Sequence, residues 1–350
     1  MLSAPESDVR RETAALLARF EGLGARRIEA GILQPAEVLL DLYGEDIRGR
    51  AYVTQDPLRG EQMLRPDFTV PVVQMHMAEG AEPARYTYAG PVFRRQEEDL
   101  GRPSEYPQVG YEVFDRSDPA RVEVELFGAF HEALQGLNLH VVMGDMAILS
   151  SAVASLETTE HRKAALMRHL WRPRKFRALL DRFSAPSPGP VAAETGPEIG
   201  VRTAAEVAER RARMAADAEA DRLDPRARAR LEDLLGIAGA LPEAMVKLEQ
   251  AAAELLGIKA PLATLKARVA ELATVGVDPE NLHFEVSYGR TSMEYYDGFV
   301  FGFTADGKAP VATGGRYDAL TKVLGQGRSV PAIGGVIRPD LVAELRGADA

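Results

Sequence analysis

The chain has 350 residues, which predicts about two domains, and its 46% apolar and 27% charged residues are ordinary for a globular protein. It lacks cysteine, which excludes disulfides, thiolate zinc sites and cysteine nucleophiles; its six histidines show no metal-binding spacing, so we predict no metal site. The net charge of −10 disfavours non-specific nucleic-acid binding, because phosphate binding needs a basic field. With no signal-peptide pattern and no run of ~20 apolar residues, we expect a cytoplasmic protein without a membrane partner.

Helices and strands alternate along the first 150 residues. The spacing of apolar residues predicts helices at 9–23, 71–77 and 123–136, and strands at 27–33, 50–54, 62–65, 85–92, 108–114 and 137–144. Neighbouring strands joined by short loops favour antiparallel pairing, so we expect a mostly antiparallel sheet in an α+β core.

The composition changes near residue 150. Residues 151–275 are rich in Ala, Arg, Glu and Leu and predict a mostly helical insertion, with a linker at 184–190. Strand patterns return at 282–286, 295–313 and 331–337, and residues 314–318 are predicted to open a short helix. We therefore predict a first core part at 1–150, the insertion at 151–275 and a second core part at 276–350.

A cation, an amide and a carboxylate fall together in the predicted strand–loop–strand segment at residues 93–114. Gln108 and Glu112 are four positions apart on the return strand, so both side chains project from one face of the sheet. Arg94 lies at the end of the neighbouring strand. Together these three groups could hold a small zwitterion.

Two further features have both a structural and a functional interpretation. Residues 64–69, LRPDFT, place Asp67 and Thr69 two positions apart just before a helix, where both residue types are good caps. The same pair could instead bind the ammonium group of a ligand. Gly314 and Gly315 lie at a strand end, where glycine admits either a ligand or another part of the chain.

The motifs gain specificity from their order. In sequence they are LRPDFT at 64–69, FR at 93–94, GR at 101–102, QVGYE at 108–112, YY at 295–296, GGRYD at 314–318 and PAIG at 331–334. This order resembles the catalytic domain of the histidyl-tRNA synthetase family over nearly the whole chain. The resemblance implies a class II aminoacyl-tRNA synthetase fold, with a six-stranded antiparallel sheet flanked by helices, that dimerises through the segment around Gln34 and Pro35.

The resemblance also implies a pocket for histidine. Asp67 takes the position of the carboxylate that binds the ammonium group, with a side chain one methylene shorter than the glutamate usual in the synthetases. The other candidate pocket residues match the family's pocket positions or lie in the same motifs: Thr69, Arg94, Arg102, Gln108, Glu112, Tyr295 and Tyr296.

Departures from the synthetases bear on activity. Leu341 stands where they carry an arginine that grips ATP, and an uncharged side chain cannot offset phosphate charge. Thr291 falls where they carry a catalytic arginine, and Arg290 and Arg338 are the nearby cations that could substitute. We expect no anticodon-binding domain, because the chain has no length for one after this motif, and hence no tRNA partner.

A synthetase-like core with these departures resembles the family of ATP phosphoribosyltransferase regulatory subunits. This resemblance implies a non-catalytic protein without a cofactor, which joins a short-form catalytic subunit in a hetero-oligomer and makes it active. It also implies allosteric feedback by histidine on the first step of histidine biosynthesis, with histidine either in the pocket or at the subunit interface. Two alternatives stay open: a stand-alone ligase that activates histidine or another amino acid for a non-tRNA acceptor, and a dimeric amino-acid sensor without this partner.

Overall fold

The computed structural model describes residues 4–43, 47–96, 103–186, 203–290 and 295–348. Its strands are β1 (Arg26–Arg27), β2 (Leu33–Pro35), β3 (Val53–Asp56), β4 (Gly60–Leu64), β5 (Ala84–Phe93), β6 (Glu105–Phe114), β7 (His140–Asp145), β8 (Ala238–Ala240), β9 (His283–Glu285), β10 (Phe299–Thr304), β11 (Ala312–Arg316) and β12 (Ala332–Ile337). The main sheet has the order β1-β5-β6-β12-β11-β10-β7-β9-β8, and a small sheet has the order β2-β4-β3. The six central strands of the main sheet, from β5 to β7, pair antiparallel throughout.

Helices cover the main sheet and form most of the chain between β7 and β9. In the described ranges they are α1 (Glu6–Gly22), α2 (Ala36–Tyr43), α3 (Ile47–Arg50), α4 (Thr69–Glu79), α5 (Pro119–Ala133), α6 (Met146–Ala154), α7 (Glu160–Arg168), α8 (Pro173–Ser184), α9 (Ala204–Glu219), α10 (Pro225–Leu235), α11 (Leu241–Glu254), α12 (Lys259–Glu271), α13 (Asp318–Leu324) and α14 (Pro339–Ala348). The division of the chain at residues 150 and 275 stays a prediction.

One face of the main sheet carries an aromatic core. Phe299, Phe301 and Phe303 alternate along β10, so their rings share one face of the sheet. There they pack against Phe127 of α5 at ring-centroid distances of 5.3–6.0 Å, and Phe130 of the same helix lies 5.4 Å from Phe301. This packing fixes α5 against the sheet and leaves the opposite face for polar groups.

Paired glycines separate the two faces on the neighbouring strands. On β12, a methyl group at Gly335 would lie 2.9 Å from the ring of Phe130 on the aromatic face. A methyl group at Gly334 would overlap the carboxylate of Glu112 on the opposite face. Successive strand residues point to opposite faces, so the two glycines make room for two different neighbours.

The pair on β11 works in the same way and answers the question that the sequence left open. A side chain on Gly314 would overlap the ring of Phe301 in the aromatic core. A side chain on Gly315 would lie 2.8 Å from the ring of Tyr296 on the polar face. One glycine therefore serves core packing, and its neighbour serves the polar face.

The strand predicted at 50–54 begins only at Val53, since Arg50 ends α3, and two other predicted elements were wrong. Residues 27–33 do not form one strand: β1 joins the main sheet beside β5 and β2 joins the small sheet beside β4, because the chain crosses between the sheets. Gly314 and Gly315 lie inside β11 rather than opening a helix, and α13 begins only at Asp318. In both cases the hydrogen-bond partner is remote in sequence, which a local pattern cannot reveal.

Candidate functional site

A cluster of buried polar side chains lies on the polar face of the main sheet, beside the start of α4. Its centre is Glu112 of β6, which has no solvent exposure. Tyr88 OH and Thr69 Oγ1 donate to Glu112 Oε1 at 2.7 and 3.1 Å, and Tyr317 OH donates to Oε2 at 2.6 Å. Burial raises the pKa of Glu112 to about 7, and the three hydroxyl hydrogen bonds limit the rise.

Asp67 bonds to the first turn of α4 from the position before the N-cap, Phe68, and its second oxygen has no donor among the described residues. Its Oδ1 accepts the backbone N–H of Val70 in the first turn of α4 at 3.3 Å. Its Oδ2 is buried without a hydrogen-bond partner among the described residues. Burial raises the pKa of Asp67, and the positive charge of Arg94 opposes this rise. The structural and the functional interpretation of Asp67 are thus compatible, because one oxygen bonds to the helix and the other has no donor among the described residues.

Arg94 and Gln108 line a cleft of about 190 Å³ that adjoins the cluster. Arg94 Nε donates to the carbonyl oxygen of Pro66 at 2.8 Å, which holds this cation beside the turn that carries Asp67. Gln108 is buried, and its Oε1 has no hydrogen-bond partner among the described residues. Two buried acceptors, on Asp67 and Gln108, therefore lack a donor within the described part of the chain.

Two tyrosines close the cluster from the segment before β10. Tyr295 OH donates to Thr69 Oγ1 at 3.3 Å, and the rings of Tyr295 and Tyr296 meet edge to face at 4.9 Å. Burial and the nearby charge of Glu112 raise the pKa of Tyr296. Seven of the eight predicted site residues thus surround the cluster or its adjoining cleft, and the eighth, Arg102, lies outside the described residues.

Tyr88 and Tyr317 belong to the cluster around Glu112, although the sequence did not predict either of them as a site residue. Tyr88 lies on β5 opposite Gly110 of β6, and a side chain on Gly110 would overlap its ring. Tyr317 belongs to the GGRYD motif and follows β11 directly. The glycine opposite Tyr88 was a usable signal, but only strand pairing reveals which residue faces it.

The structure also settles where the two substitute cations lie. Arg290 Nε donates to the carbonyl oxygen of Leu170 at 2.8 Å, and its guanidinium lies 4.9 Å from the ring of Phe176 in α8. Arg290 therefore points into the helical region, which comprises helices α6 to α12 between β7 and β9. Arg338 lines the cleft, lies 4.2 Å from the ring of Tyr106 and pairs with Asp340 at 2.6 Å.

No group of three or more His, Asp or Glu side chains in the described ranges is arranged to hold a metal ion. Among the helices described here, none combines the length and apolar character that crossing a bilayer requires.

Comparison with known proteins first defines the class. A family model described as histidyl-tRNA synthetase matches residues 2–187 and 192–342. A solved structure from Bacillus halodurans, titled ATP phosphoribosyltransferase regulatory subunit/histidyl-tRNA synthetase, superposes with a TM-score of 0.72 at 21% identity, covering 99% of this chain and 81% of that one. Histidyl-tRNA synthetase from Nostoc sp. PCC 7120 gives a TM-score of 0.66 at 16% identity, covering 100% and 74%. The predicted class II synthetase fold is confirmed.

Curated relatives narrow the class to one branch. The ATP phosphoribosyltransferase regulatory subunit of Agrobacterium fabrum is 31% identical over 377 aligned positions, covering 99% of both chains. The protein of the same name from Rhizobium rhizogenes is also 31% identical, covering 95% of this chain and 97% of its own. The chain belongs to the family of ATP phosphoribosyltransferase regulatory subunits, as the motif order and its departures predicted.

Proposed function

We propose that this chain is the histidine-sensing subunit of an ATP phosphoribosyltransferase. It assembles with a short-form catalytic subunit, is required for the activity of that subunit, and transmits inhibition by histidine at the first step of histidine biosynthesis. It performs no chemistry of its own and acts through its differential affinity for the states of the catalytic subunit. The names of its relatives support this role, and the proposal includes a cytoplasmic location and no tRNA partner.

The observation that carries the proposal is a pair of buried acceptors, Asp67 Oδ2 and Gln108 Oε1, for which the described residues provide no donor. Buried acceptors rarely stay unpaired, because an acceptor that loses its hydrogen bond to water on burial and gains no other costs desolvation free energy. The ammonium group of a ligand has the donors that either atom requires. Glu112 has one acceptor position left after its three hydroxyl bonds, which suits an imidazole N–H. We therefore place histidine in the pocket formed by the cluster around Glu112 and the adjoining cleft, rather than at the subunit interface.

Reconstitution tests the proposal. The catalytic subunit from the same organism is assayed for phosphoribosyl transfer alone, with this chain, and with this chain plus histidine. We expect activity to require the chain and to fall on adding histidine, and we expect the Glu112→Gln complex to stay active but to need at least tenfold more histidine. If the chain does not affect turnover, the regulatory role is wrong. Equal inhibition of both complexes would move the histidine site to the interface.

A dimer through the small sheet is part of the same proposal. Exposed apolar side chains lie at or just before the starts of the outer strands β2 and β3, near the segment predicted to meet a second copy. These side chains are Ile32, Leu33, Tyr52 and Val53. Strand β2 also forms one edge of this sheet, and among the described strands it pairs with β4 alone. An unpaired strand edge and exposed apolar side chains both favour association.

The ligase alternative is disfavoured by the position of Arg290. This cation would have to face the pocket to support adenylate formation, and it is instead bonded to Leu170 in the helical region. Arg338 reaches the cleft but is already paired with Asp340. Histidine-dependent exchange between ATP and pyrophosphate by the purified chain would reverse this choice.

A further inference from the structure

A buried ion network joins the helical region to the pocket. Arg268 of α12 is 1% exposed, and its guanidinium donates to Glu123 Oε2 of α5 at 2.6 Å and to Asp145 Oδ2 at the end of β7 at 3.1 Å. It also lies 4.3 Å from the ring of Phe299. A helix from outside the sheet thus places its cation within the core.

Glu123 is the branch point of this network. Its Oε2 holds Arg268, and its Oε1 accepts a hydrogen bond from Arg316 Nε at the end of β11. Arg316 pairs in turn with Asp318 at 3.1 Å. One carboxylate therefore binds an arginine from the helical region through one oxygen and an arginine from the main sheet through the other.

The sheet side of the network holds the pocket tyrosines. Tyr317, which donates to Glu112, directly follows Arg316. Asp297, which directly follows Tyr296, donates its N–H to the carbonyl oxygen of Arg316 at 3.0 Å. Its carboxylate accepts the N–H groups of Asp318 and Ala319 at 3.1 and 2.5 Å. The chain segments that carry Tyr296 and Tyr317 are therefore fastened to each other beside Arg316.

Stability alone does not account for such a network. Removing charges from water is costly, and well-packed apolar side chains in their place are often as stable or more so. In some proteins a buried ion pair instead specifies one geometry, because it requires particular partners at particular positions. The geometry fixed here is that of Arg316 and the tyrosine that follows it.

We propose that Arg268 and Glu123 are positioning residues for the pocket, so that the affinity for histidine depends on how α12 docks against the core. This inference rests on the proposed histidine site. Arg268 holds the Glu123 carboxylate, the carboxylate holds Arg316, and Arg316 sets the segment from which Tyr317 reaches Glu112. A partner that shifts α12 would thereby change histidine affinity, and histidine would equally change the affinity for that partner.

The test compares Arg268→Met with Arg268→Lys and with Lys266→Met, a control on the same helix. Lys266 pairs with Glu249 at the surface, where both side chains are about half exposed. By calorimetry of the full chain, we expect Arg268→Met to weaken histidine binding at least tenfold and Lys266→Met to change it less than twofold. Arg268→Lys retains a charge without the forked geometry and is expected to fall between them.

Glu123→Gln covers the case in which Arg268→Met does not fold. In this variant Arg268 retains Asp145 and Arg316 retains Asp318, so a folded protein is expected with at least fivefold weaker histidine binding. If either variant melts at a lower temperature yet binds histidine like the wild type, the network is merely structural and the proposal is wrong.

A second readout needs no histidine. Hydrogen exchange of the backbone amides at 317–319, which bond to Ala332 and Asp297, should be at least tenfold faster in Arg268→Met than in Lys266→Met. Equal exchange would overturn the positioning role. A wild type that does not bind histidine would refute the proposed function instead, and the exchange result would still decide the role of Arg268.

Discussion

Glu112 shows how burial and hydroxyl donors oppose each other at one residue. Its pKa in the folded protein is about 7, against an ordinary value of 4.5. Between these two values the folded protein binds more protons than the unfolded chain, so this residue lowers the free energy of unfolding as the pH rises from about 4.5 through 7. The total effect is on the order of 3 kcal/mol at 1.36 kcal/mol per pKa unit.

The first prediction follows from this sign. The wild type should lose stability relative to Glu112→Gln as the pH is raised from 5 to 8, because glutamine does not ionise. The free energy of unfolding of the variant minus that of the wild type should therefore rise over this range. Urea unfolding of both proteins at several pH values measures the difference. A difference that does not change with pH would contradict the raised pKa.

The second prediction concerns Asp67. Asp67→Asn should weaken histidine binding about 10- to 100-fold, since a hydrogen bond to a charged group contributes about 1.5–3 kcal/mol. Asp67→Glu restores the side chain usual in the synthetases and serves as the matched control, with binding expected within about fivefold of the wild type. Calorimetry decides between them, and equal weakening by both changes would mean that shape rather than charge controls this position.

At the level of single elements, β12 separates the pocket from the aromatic core one residue at a time. The strand pairs antiparallel with β6 on one side and β11 on the other, so its backbone has little freedom to shift. A residue added on either face must therefore displace a side chain.

The third prediction is that Gly334→Ala abolishes histidine binding and lowers the free energy of unfolding by about 1–3 kcal/mol, since its methyl group overlaps the Glu112 carboxylate. Gly347→Ala is the control, because a methyl group there meets nothing within 4 Å and lies in helix α14. That change should be neutral or stabilising by up to about 1 kcal/mol. Urea unfolding and histidine titration measure both, and unaltered histidine binding by Gly334→Ala would argue against the pocket.

Elements also differ in how far the sequence predicts them. Strand β6 and helix α5 were predicted because alternation and helical spacing are strong there. The structure extends both at their starts, and α5 ends three residues before the predicted end at 136. The strand at 27–33 was wrong because Arg26–Arg27 and Leu33–Pro35 have hydrogen-bond partners in different sheets. Periodicity reports which face is buried, and it carries no information on which strand lies alongside.

At the scale of the whole molecule, the small sheet carries a group of exposed apolar side chains around its outer strands: Ile32, Leu33, Tyr52 and Val53. The proposed dimer would cover Leu33, which is 47% exposed on β2. Strand β2 pairs with β4 over only three residues, Leu33 to Pro35. A shift in register that moved a charged side chain at position 33 away from the interface would therefore break this pairing.

The fourth prediction is that Leu33→Asp converts the dimer to a monomer at micromolar concentration, because a buried unpaired charge is costly at an interface. Val246→Asp is the control, since Val246 on α11 is also about half exposed but lies outside the small sheet. Sedimentation velocity measures both variants. A dimer that persists in Leu33→Asp, or a wild type that is monomeric, would refute this interface.

The sequence by itself determined the family and predicted most residues of the proposed pocket. Strand alternation put Gln108 and Glu112 on one face, because side chains four positions apart on a strand project the same way, and the family resemblance implied that Asp67 and Thr69 join them. Only the tertiary structure decided that Tyr88 and Tyr317 complete the pocket and that Arg290 turns away from it. Those contacts join residues 24, 205 and 120 positions apart, and the packing of whole elements, rather than any local pattern, determines which distant residues meet.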